Sequence, residues 1–571
     1  MKSINVLYLL LILIFATISC QEETHQVSFE EKLTIDSSLQ KHTEEFKKGV
    51  IKVKENVYVA VGYGLANSIM IIGNDGIIIV DVMESGESAK EVLSEFRKIT
   101  DKPLKAMIYT HNHADHVFGG TGMTDDNTVD VYAHELTPYY LDRVVNVTRP
   151  ITELRGFRMF GIFLDDEAMV NCGIGPRLNI NSTSQLGVVR PNKTFKDSLS
   201  ITISGIDIEL HHAPGETNDQ LFVWLPNEKV LLAGDNIYKT FPNLYTIRGT
   251  VYRDPKQWTQ SLDKMRTYEI EYLVPSHTRP LFGKELIQKT LTTYRDGIQY
   301  VYDQTIRYMN KGLTAHEIVE KVHLPKSLIN EPFLQEFYGK VSWSVTNIFH
   351  GNLGFFDGNP STLQPLSPMD KANKMIILSG GFDKLLEQAT TAFSDKQYQW
   401  TLELTDYLLR IKPDDKKSID LRYTSLVKLG EAESNPNARH YYLTSAKETK
   451  GFVIKSIIEP DLRTVHSIPL AAIFDNLSVN LIPQKCGDIK LKVNFNFTDT
   501  NEKWSVQLRN SIAETQARHV TNPDITVTIK STVWKELLAK KRGGLTTFLS
   551  GDISVEPGIG EFKEFMSYFE E

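Results

Sequence analysis

The residues best equipped for chemistry lie in Thr110-His111-Asn112-His113-Ala114-Asp115-His116, ahead of Gly119-Gly120. Three imidazoles and a carboxylate fall within six positions, just after the apolar run Met107-Ile108-Tyr109. Such a run reads as a buried strand that delivers its polar residues into a loop. Neutral imidazole and ionised carboxylate are the donors a borderline divalent cation such as zinc takes. A lone histidine is usually a satisfied polar group, but four donors packed this densely are not. The spacing suggests two cations, with His111 and His113 turned toward one and Asp115 and His116 toward its neighbour.

Stepping outward, the elements that must position this loop are legible on both sides. Val57–Val61, Asn67–Ile72 and Ile77–Asp81 read as strands, with Asn74-Asp75-Gly76 as a hairpin turn. Residues 88–100 have helical spacing at Val92, Leu93 and Phe96, and the strand carrying the cluster comes next. Further on, three strand-like runs end in polar residues. Ile206–Leu210 leads to His211-His212-Ala213-Pro214-Gly215-Glu216-Thr217, Val230–Gly234 to Asp235, and Tyr272–Ser276 to His277.

The whole chain, 571 residues with 41% hydrophobic and 23% charged, is ordinary globular material too long for one core. Its formal charge of −8 argues against a nucleic-acid partner, which would need a basic face. An anionic small molecule is compatible, because cations and a few arginines invert the field in one cleft. The first residues differ from the rest. Lys2 precedes the apolar Val6–Phe15, and Ala16-Thr17-Ile18-Ser19-Cys20 follows. That is a secretion segment too short for a stable span. Cys20 after small residues resembles a bacterial lipoprotein cleavage site, although Thr17 replaces the usual leucine. The expectation is a signal peptide over 1–19, a linker over 20–48, and an exported lipoprotein tethered through Cys20. A soluble periplasmic or secreted form is the alternative. Cys172 and Cys486 do not indicate a disulfide framework.

The ordered set of strand-end ligands resembles the metallo-β-lactamase superfamily, which implies an αββα sandwich with the metal site at the sheet edge. The resemblance implies His111, His113 and Glu216 on one cation, Asp115, His116 and His277 on the other, and Asp235 between them. Relatives mostly carry histidine where this chain has Glu216, with His211 and His212 as rivals for that place. Asp115 and Asp235 are the expected catalytic carboxylates. Three carboxylates against two divalent cations leave a formal charge of about +1. Such a site activates water for hydrolysis of an ester.

Glu216 with Asn243-Leu244-Tyr245-Thr246-Ile247-Arg248 and Arg253-Asp254-Pro255 narrows the resemblance to the bacterial alkylsulfatases. That family implies two Zn²⁺ per chain, cleavage of alkyl sulfates to alcohol and sulfate, and C–O bond breakage. Asn243, Tyr245, Arg248 and Arg253 take the sulfate-contacting places, and a guanidinium fork matches a tetrahedral oxyanion. Asp235 stands where the family usually has glutamate, and the role of Lys239 is open.

The expected order is multidomain α/β and α+β. A metallo-β-lactamase domain with a helical extension covers 49–360, an all-α dimerisation domain 361–452, and a sterol-carrier-like α+β domain 453–571. The last is implied to hold the apolar tail of the substrate, and the second to make a homodimer. Two other readings are open: another dinuclear hydrolase acting on a lactone, β-lactam or phosphodiester, and a lipid-binding carrier with an inactive metal domain.

Overall fold

The computed structural model describes residues 29, 32–126 and 128–570; the expected signal peptide and Cys20 lie outside them. Two sheets pack face to face. The first has seven strands in the order Gly49–Lys54, Val57–Val61, Ser68–Ile72, Ile77–Val80, Leu104–Ile108, Asp130–His134, Lys193–Phe195. The second has six, in the order Leu281–Phe282, Tyr272–Pro275, Val230–Gly234, Leu221–Leu225, Ile206–His212, Ser198–Ile203. Val59, Ile71, Ile78 and Ile108 meet Ile208, Val223, Leu232 and Val274 in the dry layer between them. Each such side chain contributes roughly 2 kcal/mol of burial.

Helices cover the outer faces. Gly86–Arg97 lies on the first sheet, packing Val92 and Phe96 beside Met107. Pro255–Met265, Lys284–Met309 and Val341–Leu353 cover the second, around Trp258, Leu291 and Val345. This is the αββα sandwich. Strands Ile77–Val80 and Val230–Gly234 are buried along their whole length and so read as continuous apolar runs. Each has a parallel neighbour, Leu104–Ile108 and Tyr272–Pro275 respectively. Parallel neighbours end at the same edge, so Asp81, His111, Asp235 and His277 emerge together.

Residues 37–46, expected to be linker, are packed structure instead. Ser37–His42 is a helix capped by Asp36, and Leu39, His42 and Phe46 are buried. Lys239 forms an ion pair with Glu45 of this segment.

Beyond the sandwich, five helices from Pro368–Leu378 to Pro436–Thr449 form an all-α unit. The C-terminal domain has a five-stranded sheet in the order Ile512–Gln516, Lys503–Arg509, Leu491–Phe497, Ile525–Ile529, Ile553–Glu556. Its apolar face, expected to hold a substrate tail, is filled as core. Phe474 from the helix Leu470–Val479 stacks on Trp504 at 4.7 Å, and Trp534, Phe562 and Phe565 pack around Phe495. Cys172 and Cys486 are unpaired and buried.

Candidate metal centre and its cavity

The seven expected ligands converge at one sheet edge. Three groups have donor atoms within 4.8 Å of one another: Asp115, His116 and His277; His113, Glu216 and Asp235; His111, His116 and Asp235. Asp235 is common to two of them, and so is His116. His111 Nε2 lies 2.9 Å from His113 Nδ1, and His277 Nε2 lies 3.1 Å from Asp235 Oδ2. His111 thus stands beside His113, and its own group takes in His116 and Asp235.

The remaining ring nitrogens are anchored. His116 Nδ1 donates to Asp81 Oδ2 at 2.8 Å, and His277 Nδ1 donates to the Leu65 carbonyl at 2.9 Å. Asp81 also accepts from Thr110 N, Thr110 Oγ1 and Ser276 Oγ. That carboxylate ties both sheets to the cluster. It sits at φ 58°, a left-handed turn that directs the chain out of the strand. Sequence reasoning passed over Asp81; the signal was a carboxylate closing a fully apolar strand.

The donor set suits divalent cations. His116 Nε2, Glu216 Oε2 and Asp235 Oδ1 are buried with no hydrogen-bond partner, a costly arrangement unless something positive binds there. Burial and the neighbouring charges of His116 and Arg248 keep His111 and His113 well below the usual histidine range, so both are neutral. Burial works against the Asp115 carboxylate, but His116 and His277 hold it at about 2. Asp235 is held well below its usual range against burial by His277, His116 and His111.

His211 and His212 are not part of the cluster. His211 Nε2 contacts Glu209 and Tyr268, and His212 Nε2 donates to the Asn218 carbonyl while its ring stacks on His134 at 3.9 Å. Glu216 occupies the place they might have filled. Arg253 Nη1 donates to Glu216 Oε1 at 2.8 Å and also to the Asn243 carbonyl.

A cavity opens from this edge. His113, Asp115, Asp235 and Arg248 line its polar end, and Phe118, Phe157, Phe160, Ile174 and Leu178 line its apolar walls. Of the four expected sulfate contacts, Arg248 alone is in the lining. Asn243 is fully buried; with its amide oriented to suit its neighbours it donates to Tyr245 O at 2.6 Å and accepts from Arg253. Arg253 is buried behind Glu216, where a paired guanidinium is needed to offset the buried carboxylate. Arg253 Nε and Nη2 have no partner. Arg253 thus holds Glu216, with the Asn243 carbonyl as its second acceptor; Asn243, Tyr245 and Arg253 lie outside the cavity lining, and Arg248 lies within it. Among the cavity residues not expected from the sequence are Tyr338 and Glu84, whose carboxyl burial pushes up to about 7.

This architecture coincides with sequence likeness along most of the chain. Residues 61–277 match the metallo-beta-lactamase superfamily, 314–451 the alkyl sulfatase dimerisation family, and 460–571 the alkyl sulfatase C-terminal family. A linear primary-alkylsulfatase from Pseudomonas sp. (strain ATCC 19151) is 36% identical over 525 residues, covering 88% of this chain and 98% of that protein. The chain belongs to the alkylsulfatase family. A second linear primary-alkylsulfatase from Pseudomonas sp. is 30% identical over 91% of this chain and 79% of its own length. The solved structure of a stereoselective inverting sec-alkylsulfatase from Pseudomonas sp. superposes with a TM-score of 0.89. It is 25% identical, covering 95% of this chain and 88% of that one. The alkylsulfatase dimerisation match starts at 314, so it takes in Val341–Leu353, which packs into the catalytic core through Val345 and Ile348.

Proposed function

We propose that this chain hydrolyses alkyl sulfate esters to an alcohol and inorganic sulfate, using two zinc ions held by the strand-end cluster. One observation carries the reading: a single cavity joins the ligand cluster and Arg248 to a wall of aromatic and aliphatic side chains. An amphiphile with an anionic head satisfies both ends.

His111, His113 and Glu216 would hold one ion and Asp115, His116 and His277 the other, with Asp235 between. Bound there, the ions would supply Lewis acidity and lower the pKa of water. The protein's own groups do the rest. Arg248 presents a fixed guanidinium to the sulfate head, and burial in a cavity strengthens that attraction. The apolar wall excludes bulk water and aligns the chain. Sulfate is a weak base and leaves carbon without a proton donor, whereas an alkoxide leaving sulfur would need a general acid. C–O cleavage is therefore the favoured route. Hydrolysis in ¹⁸O-labelled water tests it: label in the alcohol is expected, and label in the sulfate would contradict it.

The dimerisation segment supports a homodimer, and Val6–Phe15 with Cys20 supports an exported protein tethered by lipid at Cys20. Sulfate release from dodecyl sulfate, measured beside nitrocefin and a phosphodiester, tests the substrate class. Turnover of the sulfate alone is expected. Turnover of either alternative without sulfate release would replace this reading.

A further inference from the structure

A segment from outside the catalytic sandwich lines part of the cavity, beside Arg149, Thr152 and Glu153. Residues 453–460 join the all-α unit to the C-terminal domain, and Ile458 from this segment lines the same cavity as the ligand cluster. Its position is fixed from several sides. Arg149 donates to the Ile458 carbonyl, and Ser456 Oγ donates to Glu153 Oε1 at 3.0 Å. Glu459–Pro460 pairs in parallel with Gln185–Leu186. The start of the C-terminal domain is stitched on next. Thr464 Oγ1 donates to the Leu186 carbonyl at 2.9 Å and accepts from Val188 N at 2.8 Å, and Thr121 Oγ1 donates to Asp461 at 2.8 Å.

The helix Arg149–Met159 gives the distance between the two ends. Its last turn touches the arginine loop, where Arg155 Nη2 donates to the Ile247 carbonyl and Met159 Sδ accepts from Thr246 Oγ1. Its first residue holds Ile458. At ~1.5 Å per residue the helix separates Arg149 from Arg155 by about 9 Å and from Met159 by about 15 Å. Gly156 and Phe157 on the same helix line the wall between them.

We infer that Ile458 is a specificity-determining residue that stops the alkyl chain, so that docking of the C-terminal domain sets the length of substrate accepted. This rests on the alkyl sulfate reading. It also assigns the C-terminal domain a part in tail recognition that does not need a lipid slot of its own, since its sheet face is filled.

The test uses the full chain and non-hydrolysable linear alkanesulfonates from butane to hexadecane, with dissociation constants from calorimetry. In the wild type, affinity improves about fourfold per added methylene until the chain meets Ile458, then levels. Ile458→Trp moves that break to shorter chains and Ile458→Ala to longer ones, while butanesulfonate binds all three proteins equally. Arg149→Ala, which frees the carbonyl of Ile458, shifts the break in the same direction as Ile458→Ala. A common break point in all four proteins overturns the inference. Sulfate release by the wild type is measured separately. Its failure with shifted breaks would remove the enzymatic reading and leave the length limit standing.

Discussion

Asp81 Oδ2 accepts a hydrogen bond from His116 Nδ1 at 2.8 Å, and that contact leaves His116 Nε2 buried, unpartnered and aimed at Asp115 and Asp235. The carboxylate selects the tautomer a metal ligand needs and fixes the ring. Because it also holds Thr110 and Ser276, it sets the spacing of the two sheets at the site. Asp81→Ala should weaken metal affinity by roughly 10- to 100-fold with the circular dichroism spectrum retained. Competition with a chromogenic chelator reads this directly; unchanged affinity would show that His116 is oriented by something else.

Metal uptake should be proton-linked. Burial opposes charge on His116, but the carboxylates of Asp235, Asp115 and Asp81 outweigh it and lift its pKa well above the ordinary histidine value. In the metal-free protein this ring therefore carries a proton through neutral pH, and a ligand must be neutral. Affinity should fall as pH falls, and calorimetry in buffers of different ionisation enthalpy should show proton release on zinc binding. Proton release indistinguishable from zero at pH 7 would contradict it.

The two arginines should separate by phenotype. Arg248→Ala removes the cavity's cationic head contact, together with its 3.1 Å contact to His113 Nε2, and should lower kcat/KM about 10- to 150-fold while retaining more bound metal than Arg253→Ala. Arg253→Ala strands the buried Glu216 carboxylate and should destabilise the fold by about 3 to 5 kcal/mol, with loss of bound metal. Equal metal content in the two variants would return Arg253 to the substrate side.

Glu84 makes a signed prediction for the metal-free protein. Its Oε1 accepts from Leu65 N and Asn179 N, pinning two loops at the cavity. Its folded pKa, raised to about 7 by burial, lies above the ordinary 4.5. The folded state keeps a proton that the unfolded state loses, so this stability is complete below about pH 4.5 and is lost as pH rises through 7. The full difference is about 3 kcal/mol. Glu84→Gln keeps the carbonyl acceptor and should flatten that part of the Tm profile; an unchanged slope would reject the protonated state.

The ligand cluster could be seen in the sequence because sheet-edge sites place donors at strand ends, and apolar stretches such as Met107-Ile108-Tyr109, Val230–Ala233 and Leu273-Val274 lead to them. His111 to His116, Asp235 and His277 follow from that. Glu216 needed the family motif, since two histidines stand closer to the strand. Depth was not legible. Arg248 and Arg253 have the same chemistry in sequence, yet one faces the cavity and the other lies behind a ligand. The strand Ile512–Gln516 was missed because Ala513, Glu514 and Thr515 offer little apolar alternation. Glu84, Arg149 and Ile458 line one cavity across separations set only by tertiary packing, and no local pattern announces them.

The central claim is a two-metal alkylsulfatase, and zinc titration of the metal-stripped full chain tests it most directly, with sulfate release from dodecyl sulfate as the readout. The account predicts no release without metal and a rate that rises until about two equivalents per chain are bound. Saturated zinc binding with no sulfate release, or undiminished release after complete metal removal, would contradict it.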